Sequence, residues 1–202
     1  MTRDDHPRYR RYPSETRVAM LIEAGLACLA RGGITAFTVD NICREAGASR
    51  GLIAHHFGSK AGLLAAVYST MYDRYTAAVT PAAPAPPALH ELIEASFAPE
   101  VFNPDSLRIW LALWGEIANS AELRAVHRRR YRELLDMFER AIAAEAARNA
   151  RICEPRTLAT LLIALTDGLW LEHGIDRSML SRERALAAVH ELVGTHLGKP
   201  GG

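Results

Sequence analysis

No run of consecutive apolar residues reaches the roughly 18 that a membrane-spanning helix takes, and the opening thirty residues are polar and Arg-rich, without a secretory apolar core. A cytoplasmic address is the expectation. Cysteine is scarce: Cys28, Cys43 and Cys153 are odd in number and far apart, which fits neither a disulfide framework nor a zinc site, and the first two fall in helical patterns as small apolar residues. The eight histidines show no His-Glu-x-x-His spacing. A glycine-rich phosphate loop and a nucleophile elbow are also missing. Strand-like alternation is sustained nowhere and no internal repeat recurs, so sheets and solenoids drop out. The expectation is a chain that is not an enzyme, with no catalytic residue, no metal and no cofactor.

What is present is helical periodicity, and the fold class it predicts is all-α with nine helices. The first starts at Ser14 as N-cap, carries Val18, Leu21, Ile22, Leu26 and Leu29 as one stripe, and stops at Gly32-Gly33. Two short segments follow, over 39–46 and 50–56. A longer one begins at Ser59 and runs to Thr80-Pro81, where Pro81, Pro84, Pro86 and Pro87 make a stiff linker. Five more patterns occupy 88–98, 104–118, 121–149, 155–175 and 182–197, with Asn103 and Ser181 as N-caps.

A net charge of +1 conceals an uneven distribution. Residues 1–60 hold nine Lys/Arg against six Asp/Glu, including Arg3, Arg8, Arg10 and Arg11, and the rest of the chain is slightly acidic. A basic front suits contact with a polyanion, and a solvated disordered terminus explains residues 1–12 equally well. The informative stretch is 38–57. Thr38 caps a helix whose first turn holds Asp40, Gly47 and Ala48 form a tight corner, and Ser49 caps a second helix whose Ile53 and Phe57 face inward. Arg50, Gly51, Leu52 and His55 are left on its outer, leading face. In a helix-turn-helix that face enters the major groove, and the residue types suit it: Arg50 for phosphate or guanine, Gly51 for close backbone approach, Leu52 for a thymine methyl, His55 for phosphate or base. Lys60 reaches flanking backbone. A plain helical hairpin with His55 and His56 at its surface accounts for the same pattern, and an adaptor without DNA binding is a further alternative, though it leaves Arg50, Leu52 and His55 without a task.

At Thr38, Ile42-Cys43, Ala46-Gly47-Ala48-Ser49, Gly51, Phe57, Lys60 and Leu63-Leu64 the chain resembles the TetR family of transcriptional repressors. It departs at Ala54, where that family usually has Tyr, and His55 or His56 stands in for the missing hydroxyl. Trp110-Leu-Ala-Leu-Trp114 and Asp167-Gly-Leu-Trp-Leu171 are similar to the matching helices of the BetI-like, choline-responsive subgroup. The resemblance implies a basic arm over 1–13, a DNA-binding unit over 14–60 with Thr38, Ser49, Arg50, Gly51, Leu52, His55, His56 and Lys60 at the DNA, and a ligand-binding and dimerisation unit over 61–198. The implied partners are palindromic operator DNA, a small effector and a second copy of the chain.

For the effector, Tyr75, Phe97, Trp110, Trp114 and Trp170 can form an aromatic cage for a quaternary amine, with Asp167 as counter-ion. The same aromatics also serve a plain core, and an unrelated apolar or anionic effector is the alternative. For the dimer, Leu158, Leu161, Leu162, Leu165 and Leu169 with Gly168 line one helix, and Leu186, Val189, Leu192 and Val193 the next. Arg128-Arg129-Arg130 points around its helix, which suits ion pairs with Glu122, Glu133 and Asp136 better than a second nucleic-acid face.

Overall fold

The computed structural model describes residues 13–79 and 87–198. The basic arm up to residue 12 and the linker prolines Pro81, Pro84 and Pro86 lie outside the described residues. Among those described there are nine α-helices and no strand: α1 Ser14–Ala36, α2 Val39–Ala46, α3 Arg50–Phe57, α4 Lys60–Val79, α5 Leu89–Ser96, α6 Pro104–Ile117, α7 Ala121–Arg148, α8 Pro155–Ile175 and α9 Arg182–Leu197.

Local chemistry explains most of these boundaries. Thr38, Asn103, Ser120 and Ser181 each accept a hydrogen bond from the backbone N–H three residues on, satisfying an end that the helix itself leaves open. Pro104 and Pro155 fill first-turn positions, where a missing N–H costs nothing. Two expected caps turn out differently. Pro13, not Ser14, occupies the N-cap of α1. Ser49 stands at the N-cap of α3 without a side-chain cap bond, because the Leu52 N–H that its hydroxyl would take donates to the Ser49 carbonyl at 3.1 Å. The break expected at Gly32-Gly33 is a kink, after which one short turn runs on to Ala36.

Helix α4 is central to the packing, touching α1, α3, α5 and α7, while α6 packs on α1, α7 and α8. The end of α3 and the start of α4 are unusually close. A Cβ on Gly62 would fall 2.1 Å from the Phe57 carbonyl oxygen, so only glycine fits there. By length and mean hydropathy (1.5 and 1.2) α1 and α8 could each cross a membrane, although neither holds an unbroken apolar run of that length. Their apolarity serves helices packed on several neighbours: α1 meets α2, α4 and α6, and α8 meets α6, α7 and α9.

Candidate functional site

Two sites are built on this frame. The first is the α2–α3 corner. Gly47 ends α2 at φ 59°, a left-handed conformation that side chains rarely adopt, and the Ala48 N–H returns to the Cys43 carbonyl at 2.9 Å. Ile42 and Ile53 bury the inner faces of the two helices. Arg50, Gly51 and His55 are exposed on the outer face of α3, and Lys60 is exposed at the first turn of α4. Leu52 is half-buried and leans on the core. His56 is half-buried as well, set edge-on to His55 with ring centres 4.7 Å apart, and its Nε2 is enclosed without a hydrogen-bond partner. That nitrogen is shut off from solvent, whereas His55 as a whole is exposed. The Arg50 guanidinium lies 2.5 Å from the Asp40 carboxylate, a contact not legible in the sequence.

The second site is a small recess, partly open to solvent, between α4, α6, α7 and α8. Its wall is Tyr72, Tyr75, Trp110, Trp114, Leu134, Phe138, Ile163, Thr166, Asp167 and Trp170. The aromatic part is tightly ordered: Trp110 meets Tyr72 edge-on at 5.1 Å and stacks on Trp114 at 6.0 Å. Tyr75 meets Trp170 at 6.2 Å, and its hydroxyl is drawn aside to Ser96 Oγ at 2.7 Å. Behind this wall the Tyr68 hydroxyl and His127 Nδ1 share a hydrogen bond at 2.7 Å. Burial lowers the His127 pKa and raises the tyrosine's, which keeps both neutral.

Asp167 is the acidic group of the recess. It makes no hydrogen bond or ion pair among the described residues, and loss of hydration raises its carboxyl to about 7. The residue keeps accessible surface. It lines the recess and is itself exposed, next to the open face of α8 at Gly168. Trp170 is buried, and its indole N–H has no partner.

Of the residues expected at a ligand, Tyr75, Trp110, Trp114, Asp167 and Trp170 are brought together, and Phe97 is not. Phe97 is fully buried and packs on Phe102 at 5.2 Å, which in turn packs on Trp170 at 5.4 Å, so it backs the recess from two layers away. Tyr72, Leu134, Phe138, Ile163 and Thr166 were missed. A helical signal existed for three of them: Ile163, Thr166, Asp167 and Trp170 share one face of α8, and Tyr72 and Tyr75 one face of α4.

The expected dimer residues divide between two faces. Leu158, Leu162, Val189 and Val193 are buried within the protomer. An open stripe remains on α8, with Leu161 48% and Ile175 66% exposed, Leu171 between them, and Gly168 facing open space; Leu165, Leu169, Leu186 and Leu192 are half-buried beside it. In the Arg128-Arg129-Arg130 run, Arg130 turns inward to Asp73 at 2.7 Å and Glu133 at 3.1 Å. No group of His, Cys, Asp and Glu among the described residues could hold a metal ion.

Residues 21–67 match the family of bacterial regulatory proteins of the tetR type, and residues 86–198 match the carboxy-terminal domain of BetI-type transcriptional repressors. The HTH-type transcriptional regulator BetI of Paraburkholderia xenovorans (strain LB400) is 31% identical over 188 residues, covering 89% of this chain and 92% of its own. Among solved structures, a transcriptional regulator from Pseudomonas aeruginosa PAO1 superposes with a TM-score of 0.78 at 31% identity, covering 95% of both chains. A regulator from Saccharomonospora viridis, solved in complex with choline, shares the fold with a TM-score of 0.72 at 22% identity, covering 90% of this chain and 96% of its own. TetR regulators bind operator DNA, dimerise and bind small-molecule effectors. The chain belongs to the TetR family of bacterial transcriptional regulators, with a carboxy-terminal domain of the BetI repressor type.

Proposed function

We propose that this repressor reads an approximately palindromic operator as a dimer, through Arg50, Gly51, Leu52 and His55 with Lys60 on the flanking backbone, and that a small quaternary amine of the choline type releases it. The reading divides the chain into an arm to residue 13, a DNA-binding unit over 14–60 and a ligand and dimer unit over 61–198. The observation that carries the effector is Asp167: a carboxylate without a hydrogen-bonding partner, set in a wall of Tyr72, Tyr75, Trp110, Trp114 and Trp170. A permanent cation has no N–H to donate, so aromatic faces and a bare carboxylate are what it binds best. Choline bound in the Saccharomonospora viridis regulator supports the same class. The unpartnered Trp170 N–H suits an acceptor on the ligand, such as a hydroxyl or carbonyl oxygen.

The dimer is assigned to α8 and α9, because the open stripe of Leu161, Gly168, Leu171 and Ile175 is an apolar face without a partner in the protomer. Release follows if the ligand favours a form whose two α3 helices no longer match the half-sites. A coupling of about 1–3 kcal/mol weakens DNA binding roughly 5- to 150-fold. Helix α4 is the lever, with Lys60 at one end and Tyr72 and Tyr75 in the recess wall.

Calorimetry with choline, betaine aldehyde and an uncharged isostere of choline tests the effector, with a gel shift on the upstream DNA as the functional readout. Heat with the two cations, none with the isostere, and loss of the shifted band on adding choline are expected. Equal affinity for the isostere, or no heat with any of the three, overturns the cation reading and leaves an apolar or anionic effector.

A further inference from the structure

The α2–α3 corner holds an ion pair that joins its two helices at the outer face. Arg50 Nη2 lies 2.5 Å from Asp40 Oδ1, and the two side chains are 73% and 61% exposed. An ion pair so open to water and salt adds little to stability, so its consequence lies in where it puts the guanidinium. The backbone position of each partner is set by its helix. Asp40 sits in the first turn of α2, where the helix dipole favours a carboxylate and the Thr38 cap sets the helix start. Arg50 opens α3, whose direction relative to α2 is set by the Gly47 turn.

A guanidinium presents five N–H donors in one plane. A single contact to Asp40 leaves a pair of N–H groups free for the O6 and N7 of a guanine, while restricting the swing of the side chain toward the phosphates. The same contact places a carboxylate beside the guanidinium and so offsets part of the attraction that a lone arginine has for any duplex. We propose that Asp40 is a specificity-determining residue for DNA, acting through Arg50: it orients the guanidinium toward base edges and suppresses its sequence-independent attraction to the backbone. This rests on the reading that α3 enters the major groove.

The test is a double-mutant cycle of Asp40→Ala and Arg50→Ala. Full-length dimers that keep wild-type thermal unfolding are measured on a duplex selected from a random pool by the wild-type protein and on a scrambled duplex of the same composition. In Asp40→Ala, binding to the scrambled duplex tightens, the preference for the selected duplex over the scrambled one falls about two- to fivefold, the most an exposed ion pair can supply, and the logarithmic salt slope steepens by up to about 0.9, the value for one added phosphate contact. In the Arg50→Ala background, Asp40→Ala leaves preference and slope unchanged. An unchanged preference in Asp40→Ala, or an equal loss with and without Arg50, overturns the proposal, the second outcome marking Asp40 as a structural residue of α2. Failure of the wild-type protein to enrich any duplex overturns the DNA-reading assignment instead.

Discussion

A permanent cation that takes Asp167 as its counter-ion must bind the ionised carboxyl, so the protonation state of that group enters the affinity directly. With a midpoint at about 7, roughly a tenth of the sites carry the charge at pH 6 and roughly nine-tenths at pH 8. Choline affinity should therefore rise about tenfold over that interval, or about 1.4 kcal/mol, and level off above it. The other titratable groups in the wall do not interfere, since burial pushes Tyr72 up to about 12 and raises Tyr75 as well. Calorimetry at pH 6 and pH 8, repeated in two buffers of different ionisation enthalpy, should count about one proton released per choline at pH 6 and almost none at pH 8. Without ligand the same group works against the fold. Its folded pKa lies above the ordinary value of 3.8, so the stability it contributes is complete below about pH 4 and is lost as the pH rises through about 7. Because the residue keeps accessible surface, about half of the full displacement is assigned, roughly 2 kcal/mol. Asp167→Asn should remove that pH-dependent loss and abolish choline binding. Equal choline affinity at both pH values with no proton release, or an Asn variant that binds choline as tightly as wild type, would refute the reasoning.

Gly62→Ala should cost at least about 2 kcal/mol and weaken DNA binding, since the new methyl would meet a backbone carbonyl that cannot turn away; a wild-type urea midpoint counts against that contact. Leu161→Glu combined with Ile175→Glu should reduce the mass seen by light scattering from twice 22.2 kDa to 22.2 kDa, and a persistent dimer would move the interface elsewhere. Thr38→Ala removes the cap on Asn41 and should lower stability by about 1 kcal/mol, read from the same urea titrations. Lys60→Ala should weaken binding to all duplexes alike, whereas Arg50→Ala should also blur sequence preference; uniform losses for both would reduce Arg50 to a backbone contact.

The helices were legible because their ends are chemically marked. Thr38, Asn103 and Ser181 cap, Pro104 and Pro155 start, and Gly47 stops, each by a local mechanism that needs no knowledge of the rest of the chain. Asp167, Trp110, Trp114 and Trp170 were legible for a different reason: a carboxylate on an otherwise apolar face and tryptophans one turn apart stand out against a leucine background. Phe97 was misjudged because proximity in sequence to α6 does not reveal which side of a turn a ring takes, and here the ring backs Phe102. Leu134 and Phe138 went unseen in the long apolar stripe of α7, where nothing separates a residue that meets another helix from one that meets a void. The leucines of α8 posed the same ambiguity: apolar around more than half its circumference, the helix gives no sign in sequence that Leu158 and Leu162 face the protomer's core while Leu161 faces out. The Asp40–Arg50 contact needs the angle across the Gly47 turn, which is a three-dimensional quantity.

The absence of a side chain at Gly62 welds two elements into one casting. The first turn of α4 is set against the carbonyl of Phe57 and capped by Ser59 Oγ, which takes the Gly62 N–H at 3.0 Å, so the start of α4 lies directly on the end of α3. A movement of α4 is therefore expected to carry α3 with it and to leave the shape of α3 unchanged. An inducer acting through such a part alters gain, not taste: it scales affinity for strong and weak operators of one spacing by a common factor. A set of promoters under this repressor should keep its ranking at every inducer concentration, the weakest opening first and the strongest last.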